Sequence, residues 1–160
     1  MTREIEFVLP GEIEKRSFEI IGQELALRGI VLPAAEEAVT KRVIHTSADF
    51  DYATTMTYSY HAVEIAKELL RGGADIVTDT NMALAGINKQ TLAKYGGEAH
   101  CYMADEQVAA LAKERKVTRA TVSMEMAAKR TKPVIFAVGN APTALISLYE
   151  LMQSGYHPAF

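Results

Sequence analysis

Three short runs of β-branched and apolar residues, bounded by turn-forming residues, constrain the fold of this chain more than any other feature. They cover residues 74–79, which follow a Gly-Gly pair, a weaker stretch at 99–103, and 133–138. Helical patterns lie between them, at about 81–95, 105–116 and 118–130, and a last one covers about 141–154. Short strands that alternate with helices favour a parallel sheet in an α/β layer fold.

The first half of the chain is predicted to be helical. An apolar stripe recurs every four residues from Ile13 to Leu25, and Ser17 lies within it. A second helix is predicted to begin near Pro33, because proline is favoured in the first turn of a helix. A third covers about 60–71 and ends at the Gly-Gly pair. The second helix is expected to turn the following residues inward: Ala35, Ala38, Val39 and Val43.

Length and composition indicate one globular domain covering residues 1–160. Hydrophobic residues make up 49% of the chain and charged residues 23%, which is typical of a globular protein. No apolar run approaches the ~20 residues needed to span a bilayer. The acidic N-terminus does not fit a signal peptide, so we expect a cytoplasmic protein without membrane contact. A net charge of −3 argues against non-specific nucleic-acid binding.

The end of the chain predicts an incomplete sheet. Gly155 follows the last predicted helix, and an apolar segment then runs to Phe160. A helix followed by glycine and apolar residues commonly precedes another strand. We therefore expect the sheet to lack its last strands within this sequence, which leaves 133–138 as an edge with an apolar surface open to water. Such edges are covered by a partner or they aggregate, so self-association is expected.

His45 is the first candidate for chemistry. Imidazole titrates near neutral pH, so a histidine near the end of a helix is a possible general acid. If that helix continues, Arg42 and Asp49 lie on the same face as His45. A surface or helix-capping histidine is the structural alternative.

Two turns that follow predicted strands are candidates for ligand contact. In Gly139-Asn140-Ala141-Pro142-Thr143 a strand gives way to a helix, and Asn140 can cap that helix. The free N–H groups at such a helix start suit an anion, and ligands bind beyond the carboxyl ends of parallel strands. Asp79 follows an earlier strand directly and either holds a ligand group or caps the next helix. An ordinary strand-to-helix turn is the alternative for both.

Two further segments place a cation beside a hydroxyl, an arrangement that binds carboxylates or phosphates. These are Arg16-Ser17 and Thr118-Arg119; a solvated helix face is the alternative for both. The glycine patterns of dinucleotide-binding and phosphate-binding loops are absent from the sequence, and the spacing of the four histidines matches no metal site.

Taken in order, these segments resemble the precorrin-8X methylmutase family. The similarity extends over nearly the whole chain, and its most specific block is the stretch from Gly139 to Leu145. The other matching blocks are 13–18, 42–45, 73–79 with Met82, Gly86-Ile87 and Thr118-Arg119.

The resemblance implies an isomerase of cobalamin biosynthesis. In this family a methyl group migrates between adjacent carbons of ring C of a corrin precursor, which gives hydrogenobyrinate or cobyrinate. The resemblance also implies a flavodoxin-like three-layer α/β/α fold, a homodimer, a tetrapyrrole substrate, and no cofactor or metal. His45 would protonate the macrocycle. The residues expected to bind substrate are Ser17, Arg16, Arg42, Asp79, Thr118, Arg119, Gly139, Asn140 and Thr143.

Two other functions fit the same sequence. One is a relative that binds a tetrapyrrole without turning it over. The other is a small flavodoxin-like regulatory or nucleotide-binding domain. Binding of a corrin distinguishes the first from the second, and turnover distinguishes the isomerase from both.

Overall fold

A computed structural model describes residues 9–160 of the chain. Its backbone contacts divide the chain into two compact units, Met1–Glu64 and Ile65–Phe160. The prediction of a single domain is not tested by this division and stays a prediction. No helix among residues 9–160 is long and apolar enough to cross a membrane.

The first unit is helical. A short 3-10 turn at Pro10–Glu12 leads into α1 (Ile13–Leu27), which is followed by α2 (Glu37–Ser47) and α3 (Tyr52–Thr55). Ile21 and Leu25 on α1 pack with Ile44 on α2 in one apolar cluster. The predicted inward stripe of α1 is therefore confirmed at its C-terminal half, whereas Ile13 is exposed.

The prediction for α2 is wrong in its start and its buried face. Residues 34–36 form a turn, and the helix begins at Glu37 rather than near Pro33. Its buried residues are Thr40 and Ile44, while Ala35, Ala38 and Val39 are exposed and Val43 is half-buried. The Thr40 hydroxyl lies 2.9 Å from the Tyr58 hydroxyl, so a polar residue satisfied by a distant partner occupies a place predicted for alanine or valine.

The second unit contains a three-stranded parallel sheet in the order β2-β1-β3. The strands are β1 (Asp75–Thr78), β2 (Ala99–His100) and β3 (Val134–Ala137). This confirms the α/β class and the parallel sheet, and the order agrees with the first three strands of a flavodoxin-like sheet. The weak strand predicted at 99–103 forms only over two residues.

Along the sequence, six helices lie before, between and after these strands. α4 (Ala62–Arg71) precedes β1, and α5 (Asn81–Gly86) and α6 (Lys89–Lys94) lie between β1 and β2. α7 (Glu106–Arg115) and α8 (Arg119–Ala128) precede β3, and α9 (Pro142–Gln153) follows it. Buried residues of α8 and α9 form the main core with Val77 and Val134 of the sheet.

The single helix predicted over 81–95 is two helices. Gly86 ends α5, and Ile87 adopts an extended conformation. The Asn88 side chain then accepts a hydrogen bond of 3.0 Å from the Thr91 N–H and caps α6. Glycine is a weak helix former and asparagine a strong N-cap, which explains a break at this point.

The edge position of β3 agrees with the expectation, but its surface is less open than predicted. Within residues 9–160, β3 pairs with β1 alone. The Phe136 N–H donates to the Phe160 carbonyl at 2.9 Å, and the Phe136 ring packs edge-on against Tyr156 at 6.2 Å. The end of the chain thus partly covers β3, and Ile135 and Phe136 are half-buried rather than open to water.

Candidate functional site

In the first unit, α1 and α2 place two predicted residues, Arg42 and His45, against one aromatic ring. The His45 ring lies edge-on to Phe18, with 6.0 Å between the ring centroids. The Arg42 guanidinium carbon lies 5.3 Å from the centroid of the same ring. Ser17 precedes Phe18 on α1 and is half-buried, whereas His45 is exposed. Phe18 therefore contacts both the cation of Arg42 and the imidazole of His45, and the imidazole remains accessible.

The charge of Arg42 is paired by a residue that the sequence analysis did not single out. Arg42 donates two hydrogen bonds to the Glu14 carboxylate, at 2.9 and 2.6 Å. The hydrogen bond from Arg42 holds the pKa of Glu14 below its usual value, and the charges of Arg42 and His45 act in the same direction. Glu14 and Arg42 are 28 residues apart, so no local spacing reveals this pair.

The expectation that Asp49 shares a helix face with His45 is wrong. α2 ends at Ser47, and Ala48 adopts the left-handed conformation with φ of 57°. The Asp49 carboxylate instead accepts a hydrogen bond of 2.9 Å from the Asp51 N–H. Arg16 pairs with Glu19 at 3.4 Å on the exposed side of α1.

In the second unit, Asp79 holds the turn between β3 and α9. Asp79 is fully buried directly after β1. Its carboxylate accepts hydrogen bonds from the N–H groups of Gly139, Asn140 and Ala141, at 3.1, 2.8 and 2.7 Å. The N–H groups that we expected to be free for an external anion therefore already bind the protein's own carboxylate.

This arrangement also corrects two capping assignments. Asp79 does not cap the next helix, because the Thr80 side chain accepts the Ala83 N–H and caps α5. Asn140 does not cap α9, whose N-cap position is Ala141 without a side-chain bond. Gly139 and Asn140 are exposed and Thr143 is half-buried, so their side of the turn faces outward.

Thr118 and Arg119 lie at the start of α8. The Thr118 hydroxyl accepts the Thr121 N–H at 3.1 Å and caps the helix. Arg119 is the exposed first residue, and its guanidinium approaches the Met103 carbonyl at 3.5 Å. Among residues 9–160 no group of three or more metal-ligating side chains is present.

Replacing Asp79 with asparagine should destabilise the protein by about 2–4 kcal/mol, because an amide leaves buried N–H donors without a charged acceptor. Burial raises the pKa of Asp79, but the three backbone hydrogen bonds outweigh it, so the pKa lies below its ordinary value. Since the folded-state pKa of Asp79 is depressed, the stabilisation from its charged carboxylate is present at neutral pH. It is lost as pH falls through that pKa. Urea unfolding at pH 7 measures the loss.

A matched control is Asp105, whose carboxylate caps α7 by accepting the N–H groups of Gln107 and Val108. Asparagine caps helices as well as aspartate does, so Asp105→Asn should change the stability by less than about 0.5 kcal/mol. Equal unfolding midpoints for the Asp79 and Asp105 variants would contradict the role assigned to Asp79.

Comparison with known proteins identifies the family of this chain. The family model of precorrin-8X methylmutase matches residues 12–160. The cobalt-precorrin-8 methylmutase of Priestia megaterium is 40% identical over 150 residues, which are 92% of this chain and 65% of that protein. The Salmonella typhimurium protein of the same name is 42% identical over 88% of this chain and 69% of its own length.

A solved structure of a member of this family has a similar fold. The precorrin-8X methylmutase from Thermus thermophilus superposes with a TM-score of 0.81 at 33% identity, and the match covers 93% of this chain and 71% of that one. The chain thus spans about two thirds of the length of these relatives. With a family model that matches almost every residue and a shared fold, this chain belongs to the precorrin-8X methylmutase family.

Proposed function

We propose that this chain is a cytoplasmic isomerase that moves a methyl group between adjacent carbons of ring C in cobalt-precorrin-8 or precorrin-8X. The observation that carries the proposal is the family match over residues 12–160, which includes every residue proposed for the site. The relatives from Priestia megaterium and Salmonella typhimurium are both named cobalt-precorrin-8 methylmutases. Cobalt-precorrin-8 is therefore the first substrate to test.

His45 is the proposed proton donor. Its ring is exposed at the end of α2 and is held edge-on against Phe18. Protonation of the macrocycle draws electron density from ring C and favours migration of the methyl group. The same proton returns to His45 after the shift, so substrate and product have the same composition. The paired charges of Arg42 and Glu14 leave the imidazole as the proton carrier of this cluster.

The second group of residues is proposed to bind the carboxylates at the edge of the macrocycle. Arg119 and Thr118 offer a guanidinium and a hydroxyl at the start of α8, and both are exposed. Asn140 offers a side-chain donor at the turn before α9, and Thr143 offers one in the first turn of α9. Asp79, being buried, is proposed to position this turn rather than to contact substrate.

Turnover with a labelled substrate tests the proposal. The chain is incubated with cobalt-precorrin-8, and separately with precorrin-8X, each carrying ¹³C in the ring C methyl group. We expect the methyl resonance to move to the position of the product, together with a change in the absorption spectrum. Binding without migration would support the non-catalytic alternative, and neither binding nor migration would contradict both.

We also propose that the chain forms a homodimer. α9 exposes four large apolar side chains: Leu145 at 58%, Ile146 at 56%, Tyr149 at 63% and Met152 at 48%. Contiguous apolar surface of this kind supports association with a partner. Light scattering at micromolar concentration should give twice the chain mass, and Tyr149→Glu should shift the population toward the monomer. A monomeric wild-type chain would contradict the proposal.

A further inference from the structure

We propose that the cavity between the C-terminal half of α1 and the start of α2 binds one carboxylate-bearing arm of the substrate, and that Lys41 is the cation that receives it. The inference rests on the proposed function, in which His45 contacts a macrocycle that carries carboxylates at its edge. Neither Lys41 nor this cavity belongs to the set of residues proposed above for the site.

Contacts between α1 and α2 place Lys41 next to His45. The two residues are four positions apart on α2, so they share one helix face and lie about 6 Å apart along its axis. The facing residues on α1 have the same spacing. Phe18 lies against His45, and a Cβ added at Gly22 would lie 3.2 Å from the Lys41 ammonium nitrogen. A macrocycle that contacts His45 can therefore extend an edge arm to Lys41.

The cavity suits such an arm in size and in lining. Its volume is about 390 Å³. The walls are mostly apolar and include Leu25 on α1 and Ile30 and Leu32 in the segment that leads to α2. The charged residues in its lining are Lys41 and Glu37. A mostly apolar cavity with a cation at one point fits a short hydrocarbon arm that ends in a carboxylate.

The ammonium group of Lys41 has donors left for a ligand. The Lys41 side chain is only 18% exposed, and its nitrogen lies 2.6 Å from the Glu37 carboxylate. An ammonium has three N–H donors, and no second carboxylate among residues 9–160 pairs with this one. Glu37 is half-exposed and lies one turn away on the same helix, so the pair contributes little. A carboxylate that enters the cavity can therefore bind the remaining donors.

Gly22 leaves the space that this ammonium group occupies. Glycine in the interior of a helix is less favourable than alanine by about 1 kcal/mol. At Gly22, however, an alanine Cβ would approach the Lys41 nitrogen to 3.2 Å and its Cε to 3.9 Å. Gly22 also lines the cavity, so a methyl group there would narrow the space for an arm. A weak helix former thus stands where Lys41 and the cavity need the room.

Titration with cobyrinate, the corrin product, tests the proposal. Lys41→Met keeps the apolar stem but removes the charge, and it should weaken binding about tenfold, as the loss of a charge-assisted hydrogen bond does. Glu37→Gln should tighten binding about twofold, because it frees the ammonium from its internal partner. Gly22→Ala should weaken binding without destabilising the fold. The control is Lys67→Met, which removes an exposed lysine of α4 and should leave binding unchanged.

A second ligand identifies the group that Lys41 binds. In this ligand, the side-chain carboxylates of the same corrin are converted to amides. The wild type should prefer the carboxylate form, and Lys41→Met should reduce this preference about tenfold. An equal preference in both proteins, or weaker binding of cobyrinate by Glu37→Gln, would overturn the proposal.

These measurements separate the inference from the proposed function. Turnover in the wild type, with cobyrinate bound equally well by Lys41→Met, would overturn only the role of Lys41 and the cavity. A carboxylate preference that depends on Lys41 in a protein without turnover would support the cavity and contradict the isomerase. Absence of corrin binding would overturn both.

Discussion

Replacing His45 with alanine should abolish methyl migration while corrin binding stays within about tenfold of the wild type. A general acid typically contributes about 10²–10⁴-fold to a rate, and an alanine cannot carry a proton. Binding should persist because the ring-edge contacts proposed for Arg119, Thr118 and Thr143 are unaffected. The measurement is turnover of labelled cobalt-precorrin-8 beside a titration with the product corrin.

His61 is the matched control for this experiment. It is exposed like His45, but it precedes α4 and lies edge-on to Tyr60, with 3.9 Å between the ring centroids. His61→Ala should therefore retain turnover within about twofold. Comparable rates for the His45 and His61 variants would remove His45 from the chemistry and leave the proton donor unassigned.

Replacing Asp75 with asparagine should cost about 3–5 kcal/mol of stability at neutral pH, as the loss of one partner in a buried ion pair does. Asp75 is fully buried at the start of β1. Its carboxylate accepts hydrogen bonds from Arg130 at 2.5 Å, from Lys132 at 2.8 Å and from the Glu98 N–H at 2.9 Å. Without the carboxylate, two cations remain beside a buried amide.

The pH dependence of stability gives an independent test of Asp75. Burial raises its pKa, but the hydrogen bonds from Lys132, Arg130 and the Glu98 N–H outweigh it and lower the pKa from 3.8 to about 2. Because the folded-state pKa of Asp75 is depressed, the contribution of its charged carboxylate to the free energy of unfolding is complete above about pH 4. It is lost as pH falls toward 2. At 1.36 kcal/mol per pKa unit, the loss amounts to about 2 kcal/mol.

Urea unfolding at several pH values measures both effects. The difference between wild type and Asp75→Asn should be constant above pH 5 and should shrink below pH 4. The control is Glu24→Gln, which removes an exposed pair with Arg28 at 2.9 Å and should cost less than about 1 kcal/mol. A difference that persists undiminished at pH 2 would show that the charge of Asp75 is not what stabilises the fold.

Much of this protein follows from local sequence. The parallel strands can be predicted because β-branched runs alternate with amphipathic helices. Predicting the order of these elements along the chain needs no information on long-range contacts. The starts of α7 and α8 could also be predicted, since Asp105 and Thr118 cap them through bonds to residues two or three positions ahead. The resemblance of the Gly139–Leu145 block to the family likewise depends on contiguous residues.

The contacts that form the site were decided by the tertiary structure. Asp79 reaches N–H groups some 60 residues away because β1 and β3 are neighbours, and strand order is not encoded in any local pattern. Arg42 pairs with Glu14 because α1 and α2 pack together, and Lys41 approaches Gly22 for the same reason. Spacing along the chain predicts which side chains share a helix face. It carries no information on which distant donor meets which acceptor, because that depends on how the packed elements lie in space.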